Sequence, residues 1–154
     1  MDAVLLDTDV FSYLLKRNDA RAVAYHRHIR GKTIALSFVT VGELYFWAAK
    51  RNWGDAKRAE LETRLRSVII VPFDFDICRE YAKLGLLKTP EGGAWNIAAN
   101  DRWIAACALR HSLPLVSNNR RHSDRIPGLV LISEASRVRG PKEQRLPLQG
   151  AEPT

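Results

Sequence analysis

Five short runs of apolar residues are spaced along the chain, and helical patterns fill the gaps between the first four. The runs cover residues 3–6, 34–36, 68–71, 115–116 and 129–132. The first run is unbroken and ends at Asp7, which is typical of a strand buried on both faces. Strands that alternate with helices predict βαβ units. We therefore expect a three-layer α/β/α domain around a central parallel sheet of about five strands.

Apolar residues at helical spacing predict helices in six segments, which cover residues 10–16, 20–30, 39–51, 53–67, 74–87 and 96–111. Asp9, Asp19, Ser37 and Asp74 stand at predicted helix starts, where a side-chain oxygen can accept a hydrogen bond from a free backbone N–H. From residue 134 the chain is polar and contains several Pro and Gly residues. We predict a folded domain over residues 1–133 and a tail over residues 134–154.

The composition is that of an ordinary globular protein. Apolar residues make up 46% of the 154 residues and charged residues 27%, which excludes a disordered chain, a collagen and a coiled coil. The net charge of +7 favours a polyanionic partner such as nucleic acid. The N-terminal residues lack the pattern of a signal peptide or membrane span, and Cys78 and Cys107 lack disulfide or zinc-finger spacing. We expect a cytoplasmic protein that does not bind membranes.

Three acidic residues occupy positions in otherwise apolar segments. Asp7 closes a buried strand, at the edge of a parallel sheet where ligands bind, although it could instead cap the next helix. Asp101 shares a helix face with Ile104, so its carboxylate must be paired, hydrogen-bonded or metal-bound. Arg102 points about 100° away from it, which leaves a distant Arg as the alternative partner. Glu43 has the same half-buried pattern on another helix.

Carboxylates that converge at one crevice repel one another unless a cation lies between them. Oxygen ligands with no His or Cys nearby favour Mg²⁺ or Mn²⁺ over zinc. We therefore expect Mg²⁺ as the cofactor, with Mn²⁺ as a substitute.

Four segments together suggest a family. They read LLDTDV at residues 5–10, SFVTVGEL at 37–44, NDRWIAACA at 100–108 and LVSNN at 115–119, and IPGL follows at 126–129. Over about residues 3–132 the chain resembles the PIN-domain ribonucleases, and more closely the VapC-type toxins of bacterial toxin–antitoxin pairs. This resemblance implies a Mg²⁺-dependent endoribonuclease with an RNA substrate, an antitoxin protein as partner and a homodimeric state.

The resemblance also assigns roles to individual residues. It makes Asp7, Glu43 and Asp101 the catalytic, metal-binding acids and Thr8 an accessory hydroxyl. Asn119 belongs to the same catalytic group and falls where many members carry a fourth acid. An amide brings no charge, so we expect a single ion in the free protein and a second only with RNA.

Two arginines are the predicted RNA contacts. Arg120 and Arg121 follow the strand that ends near the site, where they could bind phosphates and stabilise charge on the phosphoryl oxygens. Asp124 is the acid that could replace the one missing at Asn119.

Two other functions are consistent with parts of the sequence. Residues 5–11 resemble the DxDx[TV] opening of haloacid-dehalogenase-type phosphatases, but Phe11 occupies the last position and no acid lies in residues 115–119. A non-catalytic RNA-binding or receiver-like module is the second alternative, with Asp74 as the phosphorylated residue of a receiver. RNA cleavage that EDTA abolishes distinguishes the nuclease from both.

Overall fold

The structure, a computed structural model, describes residues 2–135. Its strands form one parallel sheet in the order β3-β2-β1-β4-β5. These strands are β1 Ala3–Leu6, β2 Thr33–Ser37, β3 Ile69–Val71, β4 Leu115–Val116 and β5 Leu131–Ile132. Seven helices in the described part flank the sheet: α1 Thr8–Leu15, α2 Ala20–Ile29, α3 Phe38–Lys50, α4 Asp55–Arg66, α5 Phe75–Gly85, α6 Ala99–Arg110 and α7 Arg120–Ser123. The predicted α/β/α architecture is confirmed.

The start of α1 differs from the prediction. Asp7 rather than Asp9 is its N-cap: the Asp7 backbone is extended, and Oδ1 accepts the N–H of Val10 at 2.8 Å. The helix therefore begins at Thr8, and Asp9 lies in its first turn. The reason is that β1 ends at Leu6, so the next residue is the first free to leave the sheet. The other three predicted caps are confirmed.

The core lies on both faces of the sheet. On β1, Val4 and Leu6 pack with α1 to α4 on one face, whereas Leu5 packs with α5 and α6 on the other. All three side chains are fully buried, as the unbroken apolar run predicts.

The order of the strands creates a crevice between β1 and β4. The chain builds outward from β1 to β3 and then returns to the other side of β1 with β4 and β5. Leu6 pairs with Val116, and the N–H of Asp7 donates to the carbonyl of Val116 at 3.0 Å. Ligands bind outside the carboxyl ends of strands at such a reversal of strand order. Asp7 and Ser117, which follow these two strands, stand at that place.

The folded unit continues past the predicted boundary at residue 133. The N–H of Glu134 donates to the hydroxyl of Tyr25, and the carbonyl of Ala135 accepts from Arg120. The rest of the predicted tail lies outside the described residues. No helix within residues 2–135 has the length and apolar character needed to cross a membrane.

Candidate active site

Asp7 is a buried carboxylate with a donor on each oxygen. Its side chain caps α1 through Val10, and the hydroxyl of Ser117 donates to its Oδ2. Burial raises the pKa of Asp7 to about 6, while the hydrogen bonds from Ser117 and Val10 oppose that rise. The nearby charges of Asp9 and Asp101 raise the pKa further. Asp7 is therefore a helix cap and also lies at the crevice, and its role as a ligand-binding acid stays a prediction.

Asp101 lies half-buried in the first turn of α6 and points toward the end of β4. Its Oδ2 accepts a hydrogen bond from Nδ2 of Asn119 at 3.0 Å. Burial raises its pKa, the charge of His122 lowers it, and Asp9 raises it again. Arg102 does turn away, as predicted, and its guanidinium stacks 3.8 Å from the ring centroid of Tyr81. No Arg in the described part of the chain forms a salt bridge with Asp101.

Glu43 is oriented by the hydroxyl group of Thr8. The hydroxyl of Thr8 donates to its Oε1 at 2.8 Å and lies 3.1 Å from Oγ1 of Thr40. Thr40 is fully buried in the first turn of α3, and its N–H donates to the hydroxyl of Ser37, which caps that helix. The hydroxyl of Thr8 therefore orients Glu43, and its role as an accessory group in catalysis stays a prediction.

Residues 117–119, which we call the β4 loop, hold both aspartates. Ser117 donates to Asp7 and accepts the N–H of Asn119 at 2.9 Å, while the side chain of Asn119 donates to Asp101. The side chain of Asn119 therefore points toward Asp101, and its membership of the catalytic group stays a prediction. One short loop thus sets the orientation of two carboxylates that come from β1 and α6.

The acids do not form a group of three ligands around one point. Between residues 2 and 135, no three His, Cys, Asp or Glu side chains are placed to share an ion. The β4 loop contacts Asp7 and Asp101, whereas Glu43 accepts a hydrogen bond from Thr8, so the three predicted acids do not surround one point. Burial and the nearby negative charge both disfavour the ionised form of each carboxyl, and a bound cation would offset that cost. Mg²⁺ would suit two such groups, because it binds through one or two carboxylates and keeps several waters.

A family profile described as "PIN domain" matches residues 4–128. The chain belongs to the PIN domain family. Among its relatives, "Ribonuclease VapC2" of Haemophilus influenzae is 30% identical over 125 residues, which cover 81% of this chain and 92% of that protein. "Toxin FitB" of Neisseria gonorrhoeae is 32% identical over 123 residues, or 75% of this chain and 87% of that protein.

Solved structures agree with this assignment. VapBC2 from Rickettsia felis, bound to a DNA fragment from its promoter, superposes with a TM-score of 0.71 at 25% identity, covering 85% of this chain and 98% of that chain. The α/β/α fold with its parallel sheet is thus that of a PIN domain.

In this PIN domain the two predicted RNA-binding arginines differ. The guanidinium of Arg120 donates to the carbonyls of Ser133 and Ala135 and pairs with Asp124 at 3.4 Å. Arg120 thus connects α7 to the segment that follows β5. Asp124, the acid considered as a replacement at Asn119, is the carboxylate partner of Arg120. Arg121 is exposed, which makes it the better candidate for a phosphate contact.

Several site residues were not predicted. Asp9 was expected only as a cap, although its charge acts on both Asp7 and Asp101. Its spacing of two residues from Asp7 was the available signal. Ser117, which contacts Asp7 directly, carries no such signal. Asp74, the residue on which the receiver-like alternative depends, has a structural role instead. It caps α5 and pairs with Arg110 at 3.0 Å.

Proposed function

We propose that this PIN domain is a Mg²⁺-dependent endoribonuclease and the toxin of a toxin–antitoxin pair. One observation carries the nuclease part: where the order of parallel strands reverses, the β4 loop donates hydrogen bonds to both Asp7 and Asp101, and the pKa of each carboxyl is raised by burial. Relatives named ribonuclease and toxin support the same activity for this chain. The net charge of +7 is also that of a protein with a polyanionic substrate.

The residues of the site have separate tasks in this proposal. Asp7 and Asp101 would hold the cation, with Glu43 placed by Thr8 at the margin of the site. A bound Mg²⁺ supplies Lewis-acid stabilisation of a phosphate and lowers the pKa of water. Ser117 and Asn119 keep the two aspartates oriented, which avoids reorganisation during the reaction. Arg121 would bind an RNA phosphate next to the scissile one.

The proposed partner is an antitoxin protein. Structural neighbours that are VapBC complexes, including one from Haemophilus influenzae at 26% identity and a TM-score of 0.70, support this proposal. A homodimer and a cytoplasmic location stay predictions from the sequence. Exposed Phe38 and Tyr45 on α3 and exposed Ile69 on edge strand β3 offer apolar surface for a second subunit.

The test is RNA cleavage by Asp101→Asn compared with Asp76→Asn. Asp76 is an exposed acid on α5 that pairs with Arg79 and Arg110, so its variant controls for loss of a surface charge. We expect the unmodified protein and Asp76→Asn to cleave RNA with Mg²⁺ and to lose cleavage with EDTA. Asp101→Asn should fold, as judged by circular dichroism, and should not cleave. Cleavage that persists in EDTA or in Asp101→Asn would refute the proposal.

A further inference from the structure

Tyr25 on α2 is a core residue whose hydroxyl reaches the β4 loop. The side chain is only 1% exposed. Its hydroxyl donates to Oδ1 of Asn118 at 2.7 Å and accepts the backbone N–H of Glu134 at 3.0 Å. The carbonyl of Ser117 lies 3.4 Å away. A buried hydroxyl with its donor and its acceptor both engaged fixes the groups on either side of it.

Asn118 is the central residue of the β4 loop. Its neighbours in sequence, Ser117 and Asn119, donate to Asp7 and Asp101 respectively. The contact of Tyr25 with Asn118 therefore restrains the loop between the two residues that orient the aspartates. Tyr25 has no hydrogen bond to either aspartate in the described part of the chain.

The acceptor side of the Tyr25 hydroxyl is restrained as well. Glu134 has its carboxylate bound by His28 and Arg27, which lie on the same helix as Tyr25. Arg120 donates to the carbonyls on either side of Glu134. The segment 133–135 is therefore fixed to α2 and α7. The N–H of Glu134 donates to the Tyr25 hydroxyl, which leaves the hydroxyl proton directed at Asn118.

We propose that Tyr25 is a positioning residue for Asp7 and Asp101, because its hydroxyl holds the β4 loop in the conformation that orients both carboxylates. The proposal rests on the nuclease function proposed above. Tyr25 acts through Asn118 and does not touch the substrate. A displacement of the reacting groups by about 1 Å can cost about a hundredfold in rate, so the loss of this restraint is measurable.

The experiment compares Tyr25→Phe with Tyr13→Phe in the full chain. Both tyrosines are buried in the same core, and their ring centroids are 6.4 Å apart. Tyr13→Phe therefore removes a hydroxyl from the same region without touching the β4 loop. We expect kcat for RNA cleavage to fall about tenfold or more in Tyr25→Phe, with KM changed by less than about twofold. Tyr13→Phe should keep both constants.

Two further variants connect the effect to the proposed contact. Asn118→Ala should lower kcat to a similar extent, and the double variant with Tyr25→Phe should be no slower than the slower single variant. Additive losses would overturn the proposal, because they would show that the two residues act independently. A lower Tm in Tyr25→Phe with unchanged kcat would also overturn it and leave Tyr25 a purely structural residue.

A measurement without RNA separates this proposal from the nuclease function. The N–H of Asn119 donates to Ser117 within the β4 loop, so its hydrogen exchange reports whether the loop is held. Exchange should be about tenfold faster in Tyr25→Phe and unchanged in Tyr13→Phe. Unchanged exchange in Tyr25→Phe would overturn the proposal. If the unmodified protein fails to cleave RNA, the nuclease function is wrong, and faster exchange would still show that Tyr25 holds the loop.

Discussion

Replacing Asp7 with Asn should stabilise the metal-free protein at neutral pH. Burial raises the pKa of Asp7 from 3.8 to about 6. An acid with a raised pKa binds more protons when folded than when unfolded, so stability is lost as pH rises through the window between these values. Asn is neutral at every pH. It can also keep the cap on Val10 and contact the hydroxyl of Ser117.

The size of the effect follows from the two pKa values of Asp7. The difference between 3.8 and about 6 is equivalent to about 3 kcal/mol once the pH is above about 7. For a domain of this size, the Tm should rise by about 6–12 °C. At about pH 4.5 the folded carboxyl is mostly protonated, so the advantage of the variant should shrink to about 1 kcal/mol.

The assay is thermal unfolding in EDTA at about pH 7.5 and 4.5. Asp74→Asn is a matched control, because Asp74 also caps a helix and accepts the N–H of Ile77 at 2.8 Å. Its pKa is lowered by that hydrogen bond and by Arg110, so Asp74→Asn should be less stable than the unmodified protein at the higher pH. If Asp7→Asn gains no stability at the higher pH, or gains equally at both, the argument from burial of the Asp7 charge is wrong.

Three further predictions concern the rest of the site. Asn119→Asp adds a carboxylate beside Asp101, so calorimetric titration with Mn²⁺ should show a second ion without RNA; an unchanged number of ions would contradict the prediction that Asn119 stands in place of an acid. Arg121→Ala should lower the salt slope of RNA binding by roughly one, whereas Arg120→Ala should mainly lower the Tm; the reverse pattern would assign phosphate binding to Arg120. Thr8→Val removes the donor to Glu43 and should destabilise the protein by about 1–3 kcal/mol in denaturant titration; an unchanged midpoint would show that this hydrogen bond contributes little.

The strands were predictable because each contains a short apolar run. The start of α1 was not predictable from the sequence, because Asp7 and Asp9 are equally good helix caps by local chemistry. The choice depends on where β1 stops pairing with β4, which lies more than a hundred residues away in the chain. Helix α7 was missed because four residues are too few to show a helical pattern.

Asp7 and Asp101 could be singled out from the sequence because a carboxylate in an apolar segment needs a partner, whereas Asp9 could not be distinguished from a helix cap. The polar groups that support the two aspartates were not predictable. Tyr25 sits at core spacing on α2 like any packed aromatic, and nothing near it in sequence indicates that its hydroxyl meets Asn118, ninety-three residues later. Ser117 is likewise an ordinary residue at the end of a strand. Such contacts are set by the pairing of distant strands, which periodicity does not report.

The pairing of β1 with β4 also sets the moment at which the site can exist during synthesis. Asp7 is translated 110 residues before its hydrogen-bond donor Ser117. Until β4 has been translated and has inserted beside β1, Asp7 lacks both Ser117 and the neighbouring strand that fixes its backbone. Contacts of such long range form late in folding. A growing chain on the ribosome, which is itself mostly RNA, therefore carries no assembled site until nearly the whole domain has been made.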